Sequence, residues 1–285
     1  MAKNLGLSIK TKSNQKNTNQ HRPSIPVLID QIIEKSDIIL EILDARFIEK
    51  TRHYKIEEKA KNLGRTIIYV FNKSDLVDIN LIKMNIELQE LNPKIFFSCN
   101  DRRGIGLLRK IIKIEAKKVK KPSVNIGIIG YPNTGKSSIT NILVGKSIAK
   151  TSSEAGYTRG IQKVRLFPGI YLIDTPGVIP IDENAIINRE DLIKHSQIGV
   201  RSWDKIKNPD SMVYELMKSY PNALENHYKI DSNQDSEIFI EQLGRKFNYL
   251  RKGNLVDEDK TARKILRDWQ QGKIRNLAPN PNRHS

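Results

Sequence analysis

A loop with the sequence Gly130-Tyr131-Pro132-Asn133-Thr134-Gly135-Lys136-Ser137 follows the apolar run Val124–Ile129. It matches the pattern G-x4-G-K-[ST], whose glycines let the backbone curl so that successive N–H groups face a phosphate. Residues 138–143 then place apolar side chains at helical spacing. A helix in this position adds its positive N-terminus to the anion site. The order of strand, loop and helix therefore predicts a phosphate-binding loop rather than a flexible glycine linker.

The side chains of this loop have separate predicted roles. Lys136 is expected to reach the β- and γ-phosphates of a nucleotide as a point charge, and the hydroxyl of Ser137 to bind Mg²⁺. The further candidate contacts with a nucleotide in this loop are Asn133, Thr134, Gly135 and Ser138.

A second motif, Asp174-Thr175-Pro176-Gly177, ends the apolar run Ile170–Ile173. At the end of a buried strand, the carboxylate of Asp174 can hold Mg²⁺ through a water molecule, and the N–H of Gly177 can contact the γ-phosphate. A D-x-x-G motif alone is a weak signal, but this one follows the phosphate loop by one strand hairpin. We therefore predict that both motifs serve one nucleotide.

A third motif, Asn72-Lys73-Ser74-Asp75, follows the apolar run 66–71. Asp75 can accept hydrogen bonds from the ring N–H and the exocyclic amine of guanine, whereas adenine would leave a buried carboxylate unpaired. Asn72 is expected to bond the base edge and to brace the phosphate loop, and the stem of Lys73 to cover the ring. The motif therefore predicts a guanine site, although the same pattern also occurs as a turn or helix cap.

The triplet Ser98-Cys99-Asn100 ends the next apolar run, residues 94–97. At this position a guanine site presents backbone N–H groups to the base oxygen. The triplet is unspecific alone, but beside the other motifs it is predicted to complete the pocket.

The motifs stand in a rotated order. In the usual Ras-like arrangement the phosphate loop opens the domain and N-K-x-D closes it, whereas here Asn72–Asp75 comes first and Asp174–Gly177 comes last. The set is complete, so the sequence predicts a circularly permuted Ras-like P-loop GTPase domain. Apolar strands alternating with helices indicate an α/β fold of three layers, with a mostly parallel sheet covered on both faces and one antiparallel hairpin at Pro168-Gly169.

We expect three regions along the chain. Residues 1–23 form a basic disordered tail that carries no acid and is too polar to fold alone. This tail is either simply disordered or an RNA-binding arm that orders on contact. Residues 24–182 form the GTPase domain, in which one of the expected helices spans 81–91. Residues 183–285 form a small all-α domain that we expect to bind RNA, and its expected helices are Asp210–Ser219, Ser236–Leu250 and Asp257–Gln271.

Several of these segments resemble the circularly permuted TRAFAC-class GTPases of the ribosome-biogenesis type, over roughly residues 25 to 275. Residues 130–138, GYPNTGKSS, resemble the family's G-x-P-N-V-G-K-S-S. Asp44-Ala45-Arg46 resembles its Asp-Ala-Arg motif, and Thr261–Lys273 resembles its C-terminal helical signature. The chain departs from the family at Cys99, where alanine is usual.

The resemblance implies hydrolysis of GTP to GDP and phosphate. Ala155-Gly156-Tyr157-Thr158 stands where Pro-Gly-x-Thr is common, which makes Thr158 the implied switch threonine and Thr151 its rival. Val178 occupies the place of the glutamine that orients water in many GTPases, and the resemblance implies instead a potassium ion held by Asn133. His21 is either a tail histidine that reaches the γ-phosphate or a solvated one. The implied catalytic residues are Lys136, Asn133, Thr158 and Gly177, and the implied ligands of Mg²⁺ are Ser137, Thr158 and Asp174.

Composition indicates an anionic partner larger than a nucleotide. The 285 residues carry a formal net charge of +17, a field that GTP alone does not need. No apolar run approaches the length of a membrane span. RNA fits better than a membrane as the anionic partner because no basic amphipathic anchor stands out in the sequence. The single cysteine excludes a disulfide framework and a Cys-rich zinc module, which the resemblance associates with the small-subunit branch. Together with this composition, the resemblance implies a cytoplasmic assembly factor of the large ribosomal subunit that binds ribosomal RNA and is monomeric off the ribosome.

Several alternatives stay open at this point. The chain could be an RNA-binding module that holds GTP as a structural ligand with negligible turnover, or a GTPase that acts on tRNA or another RNA. Asp44 and Arg46 form either a structural ion pair or part of the nucleotide site. Trp203 and Trp269 are expected to be core anchors rather than base-stacking platforms. A solvated helix face and an RNA-binding patch are the two interpretations of Lys110, Lys113, Lys117, Lys118, Lys120 and Lys121.

Overall fold

The computed structural model describes residues 25–85, 88–145, 163–173, 198–199 and 202–275. Up to residue 173 these residues form one six-stranded sheet with helices on both faces. The strands are β1 Ile38–Asp44, β2 Thr66–Asn72, β3 Lys94–Phe96, β4 Val124–Ile129, β5 Lys163–Phe167 and β6 Ile170–Ile173. The helices are α1 Ile25–Lys35, α2 Ile48–Thr51, α3 Tyr54–Asn62, α4 Ile79–Met84, α5 Ile105–Lys118 and α6 Lys136–Val144.

The sheet has the order β3-β2-β1-β4-β6-β5, and all neighbours are parallel except β5 and β6. Strand β1 pairs with β2 on one side and β4 on the other, so the chain runs out to one edge before it returns to the centre. The point between β1 and β4 is where such sheets bind ligands, at the carboxyl ends of the strands. Asp44 pairs in register with Asn72 at this end. The predicted α/β fold with a permuted, mostly parallel sheet is confirmed.

Two apolar layers sandwich the central strands. Alternate residues of β1 pack on opposite faces, for example Leu40 against α5 and α6 and Ile39 against α1 and α3. All seven residues of β1 are buried, as expected of a parallel strand that is covered on both faces. Glu41 lies in the middle of this strand, and its Oε1 accepts a hydrogen bond from the backbone N–H of His53 at 2.9 Å.

Residues 202–275 form a second body, which we call the helical unit. Its helices are α7 Pro209–Ser219, α8 Ala223–Tyr228, α9 Ser236–Lys246 and α10 Glu258–Gln270, with short strands β7 Leu250–Arg251 and β8 Leu255–Val256. They pack around Trp269, which is 1% exposed. Phe47 and Tyr131 from the sheet domain belong to the same apolar cluster. The helical unit therefore packs directly on the phosphate loop and on the segment after Asp-Ala-Arg.

Two expected helices are shorter than the apolar pattern indicated. The helix expected over 81–91 is α4, which ends at Met84 because Asn85 turns to an extended backbone. The helix expected to reach Leu250 ends at Lys246, because Asn248 adopts a left-handed conformation and the N–H of Tyr249 bonds back to Gly244. The chain that follows forms the β7–β8 hairpin, so the expected all-α domain also contains one two-stranded sheet.

None of the helices within the described residues is both long enough and apolar enough to cross a membrane.

Candidate nucleotide-binding site

A cavity of about 1070 Å³ opens at the carboxyl ends of the central strands. The sheet domain lines it with Asn72, Lys73, Asp75, Leu76, Cys99, Asn100, Pro132, Asn133, Gly135, Lys136, Ser137 and Ser138. The helical unit lines it with Ser202, Trp203, Gln270, Gln271, Gly272, Lys273 and Arg275. Motifs that are distant in sequence therefore share one cavity, because each follows a strand that ends at this edge.

Asn72 connects the base-side motif with the phosphate loop. Its side-chain Nδ2 donates a hydrogen bond to the carbonyl oxygen of Thr134 at 2.7 Å, and the side chain is buried. Gly135 lies against it with φ +100°, and a Cβ at Gly135 would lie 2.1 Å from Nδ2 of Asn72. A glycine is needed here both for the backbone conformation and for this close approach. Thr134 is buried and donates its own hydroxyl to the carbonyl of Tyr131, so it braces the loop from behind.

Asp75 lies in a short 3₁₀ turn, Ser74–Leu76, and faces the cavity. The hydroxyl of Ser98 donates to its Oδ1 at 2.7 Å and accepts the backbone N–H of Asp101 at 3.0 Å. Ser98 is fully buried, so it orients Asp75 instead of lining the cavity. Cys99 and Asn100 line it directly. Burial raises the pKa of the Cys99 thiol to about 11, so this thiol stays protonated.

Lys136 begins helix α6 at the floor of the cavity. Its ammonium donates to the carbonyl of Tyr131. Burial lowers the pKa of Lys136 to about 8, and no charged group among the described residues offsets that burial. A desolvated cation beside the N-terminus of a helix fits a phosphate, which would supply the missing negative charge. The hydroxyl-bearing Ser137 and Ser138 follow it along the cavity wall.

Ser137 fits the predicted role in Mg²⁺ binding, because it follows Lys136 in the wall of the cavity. A metal in this position is held by one protein hydroxyl and by phosphate oxygens rather than by a cluster of acids. The other predicted Mg²⁺ ligands, Thr158 and Asp174, lie outside the described residues, as do Gly177 and the tail with His21. Asn133 adopts φ 62°, and its amide donates to the carbonyl of Gly199.

Asp44 and Arg46 form a buried ion pair next to Lys73, a residue that lines the cavity. Arg46 donates to both carboxylate oxygens of Asp44, at 3.0 and 2.8 Å, and each side chain is 1% exposed. The ammonium of Lys73 bonds the same carboxylate at 2.8 Å. Burial alone would raise the pKa of Asp44, but the charges of Arg46 and Lys73 outweigh it and hold that pKa far below its usual range. Of the two interpretations left open by the sequence, the structural ion pair is the one observed, and neither side chain is among the residues that line the cavity.

The wall supplied by the helical unit was not predicted. Trp269 is a core residue as expected, whereas Trp203 is half-buried and borders the cavity. The end of α10 reaches the part of the cavity formed by the Asn72–Asp75 motif. There, a Cβ on Gly272 would lie 2.5 Å from Cδ1 of Leu76. Gly272 has φ +71°, the left-handed conformation that commonly follows a helix. The sequence did contain a signal for the end of this helix, because a glycine directly follows a strongly amphipathic segment. The neighbouring residues do not indicate what that glycine packs against.

Comparison with known proteins agrees with this geometry. Residues 125–233 match the family described as 50S ribosome-binding GTPase. The chain is 37% identical over 256 residues to an uncharacterized GTP-binding protein of Methanocaldococcus jannaschii, covering 88% of this chain and 66% of that protein. It is 32% identical to nucleolar GTP-binding protein 2 of Saccharomyces cerevisiae, covering 86% of this chain and 51% of that protein. The chain thus spans between half and two thirds of the length of these relatives.

A solved structure shares the fold. GNP-bound YlqF from T. maritima superposes with a TM-score of 0.66 at 22% identity, covering 89% of this chain and 96% of that one. The rotated order of the three motifs, the position of their strands in the sheet and the sequence matches together show that this chain belongs to the circularly permuted GTPase family.

Proposed function

We propose that this chain binds GTP, hydrolyses it to GDP and phosphate, and acts in the assembly of the large ribosomal subunit through contacts with ribosomal RNA. One observation carries the nucleotide assignment. The carboxylate of Asp75, oriented by Ser98 at 2.7 Å, faces the same cavity as the buried ammonium of Lys136. A ligand that satisfies both groups has two adjacent donors at one end and phosphates at the other, which describes a guanine nucleotide.

The chemistry proposed for hydrolysis is in-line attack by water on the γ-phosphate. Lys136 and the backbone N–H groups of the phosphate loop stabilise charge on the transferred group in a water-poor pocket. Ser137, with Thr158 and Asp174 as the further predicted ligands, would hold Mg²⁺, and the bound ion would supply positive charge to neutralise the phosphates. Asn133 is the proposed contact for a potassium ion that takes the place of an arginine finger.

Turnover measurements test the enzymatic part of the proposal. Single-turnover hydrolysis of GTP is measured in potassium and in sodium, with and without ribosomal particles. We expect hydrolysis that is faster in potassium and faster with particles, and that is lost in Lys136→Ala. Tight GTP binding without hydrolysis under any of these conditions would favour the alternative, an RNA-binding module with GTP as a structural ligand.

The partner proposal is supported by one basic face. Helix α5 exposes Lys110, Lys113 and Lys117, which lie three to four residues apart and therefore on one side of the helix. They border a surface groove of about 420 Å³ together with Arg109 and Ile114. Two of the other lysines considered in the sequence analysis form ion pairs with acids instead, Lys118 with Glu115 and Lys121 with Asp37.

Lys110, Lys113 and Lys117 are regularly spaced and have no ion pair with an acid within the described part of the chain, an arrangement that fits a phosphate backbone. We propose that this α5 face contacts ribosomal RNA. A GTPase that acts on another RNA is the alternative, and crosslinking of the protein to RNA in cells separates the two.

A further inference from the structure

Arg46 connects the two bodies whose residues line the nucleotide cavity. Its Nε and Nη2 bond Asp44 in the sheet domain at 3.0 and 2.8 Å, while its Nη1 donates to the backbone carbonyl of Trp269 in the helical unit at 3.0 Å. The guanidinium is almost completely buried between these partners. One planar group thereby fixes a side chain at the end of β1 and the last turn of α10.

Each partner of Arg46 is next to residues that line the cavity, Asp44 through a bond and Trp269 through the sequence. Asp44 also holds the ammonium of Lys73, whose stem is predicted to cover the guanine ring. Trp269 is followed by Gln270, Gln271 and Gly272, which line the opposite wall. The position of the lysine and the position of the helical wall therefore depend on one guanidinium.

The two walls also touch each other beside the base motif. Gly272 packs on Leu76, the residue that follows the guanine-reading Asp75. Phe47, next to Arg46 in sequence, lies against the rings of Trp269 and Tyr220 at centroid distances of 5.9 and 6.0 Å. These contacts leave no space for a layer of water between Leu76 and the end of α10, so a displacement of the helical unit changes the shape of the base pocket.

We propose that Arg46 is a positioning residue that couples guanine-nucleotide binding to the docking of the helical unit on the base side of the site. The inference rests on the proposed nucleotide function and adds the residue through which the second body takes part in it. A nucleotide that fits between the walls binds best when both are in place. By linkage, bound nucleotide then stabilises the docked helical unit, and the docked unit raises nucleotide affinity by the same factor.

The first test replaces Arg46 by lysine, which keeps the charge beside Asp44 but cannot bond the carboxylate and the Trp269 carbonyl together. We expect GDP to bind about fivefold or more weakly. We also expect wild-type protein to show slower hydrogen exchange at the amides of residues 271–273 when GDP is bound, and this protection to be lost in Arg46→Lys. The matched control is Arg52→Lys, because Arg52 makes the same two-point pair with Glu57, at 2.9 and 2.8 Å, away from the cavity.

A second pair of variants tests the same coupling from the other wall. Gly272→Ala places a Cβ against Leu76, whereas Gly64→Ala puts alanine at a closely similar φ of +65° after helix α3, with nothing within 4 Å. Both variants carry the same backbone strain, but only the first moves the helical unit away from the base motif. We expect Gly272→Ala to weaken GDP binding and reduce the protection, and Gly64→Ala to do neither.

Defined outcomes overturn the inference. They are unchanged GDP affinity in Arg46→Lys, weakened affinity with the protection intact, or equal effects of Gly272→Ala and Gly64→Ala. If Arg46→Lys does not fold, the two glycine variants alone decide. Failure of the wild-type protein to bind GDP would instead reject the proposed function on which the inference rests.

Discussion

The hydroxyl of Ser98 donates to the carboxylate of Asp75 at 2.7 Å, although the two residues belong to different loops. Strands β2 and β3 are parallel neighbours, and their carboxyl ends bring the loops together. This hydrogen bond uses only part of the acceptor capacity of Oδ1, and the carboxylate still faces the cavity. A carboxylate held in this way loses little side-chain freedom when a ligand binds to it.

Ser98→Ala should therefore weaken guanine-nucleotide binding. The buried serine would no longer orient Asp75, and we expect GDP affinity to fall about tenfold, the equivalent of about 1.4 kcal/mol. Titration with a fluorescent GDP analogue measures it. Ser232→Ala is the matched control, because buried Ser232 donates to Glu225 at 2.6 Å inside the helical unit. Equal loss of affinity in both variants would mean that Ser98 acts only through stability.

Asp75→Asn should change which base is preferred. Xanthine carries a carbonyl where guanine carries the exocyclic amine, so an amide at this position can donate where the carboxylate accepted. Loss of pairing for a buried polar group costs roughly 1–3 kcal/mol. We expect GDP binding to weaken and xanthosine diphosphate binding to strengthen, measured by competition. A variant that still prefers GDP as strongly as wild-type protein would refute the base-reading assignment.

Charge reversal on α5 should lower RNA affinity and its dependence on salt. Each phosphate contact releases counterions, so Lys117→Glu should reduce the slope of log K against log salt by about 0.9, the value for duplex DNA. Filter binding to ribosomal RNA at several salt concentrations measures the slope. Lys83→Glu is the control, since Lys83 is an exposed lysine on α4 outside this basic face. Equal slopes in the two variants would move the RNA surface away from α5.

Much of the site could be predicted because its motifs follow strands of one parallel sheet. The carboxyl ends of such strands meet at one edge, so Asn72, Asp75 and Lys136 could be placed together without knowledge of the packing. The bond between Asn72 and the phosphate loop follows from the same argument. The register of β1 against β2 also brings Asp44 next to Asn72.

The rest of the site depends on contacts that no local pattern encodes. Arg46 and Trp269 are 223 positions apart, and their bond exists only because Phe47 and Tyr131 complete the apolar core of the helical unit. Amphipathic spacing predicted that α10 has a buried face, but it did not indicate which body would cover that face. The position of Trp203 could not be predicted for the same reason, because its half-buried place beside the cavity depends on how α10 packs on the sheet domain.

Glu41 should make stability fall as pH rises through the neutral range. Burial and the nearby charge of Glu57 raise the pKa of Glu41 to about 8, against 4.5 in an unfolded chain. Below pH 4.5 both states hold the proton, whereas between 4.5 and 8 only the folded protein holds it, so the free energy of unfolding decreases with pH in this window. The slope contributed by one such group is at most about 1.4 kcal/mol per pH unit. Above pH 8 the contribution stays constant.

Glu41→Gln isolates this contribution, because glutamine keeps an oxygen that accepts the N–H of His53 and has no proton to lose. We expect the variant to have a flatter profile of urea-unfolding free energy between pH 5 and pH 8, and to be more stable than wild-type protein at pH 8.5. The two proteins should converge near pH 5, where Glu41 is protonated in the fold. Parallel profiles for the two proteins across this range would show that Glu41 is ionised in the folded state and that Arg52, through its charge near Glu57, dominates the pocket.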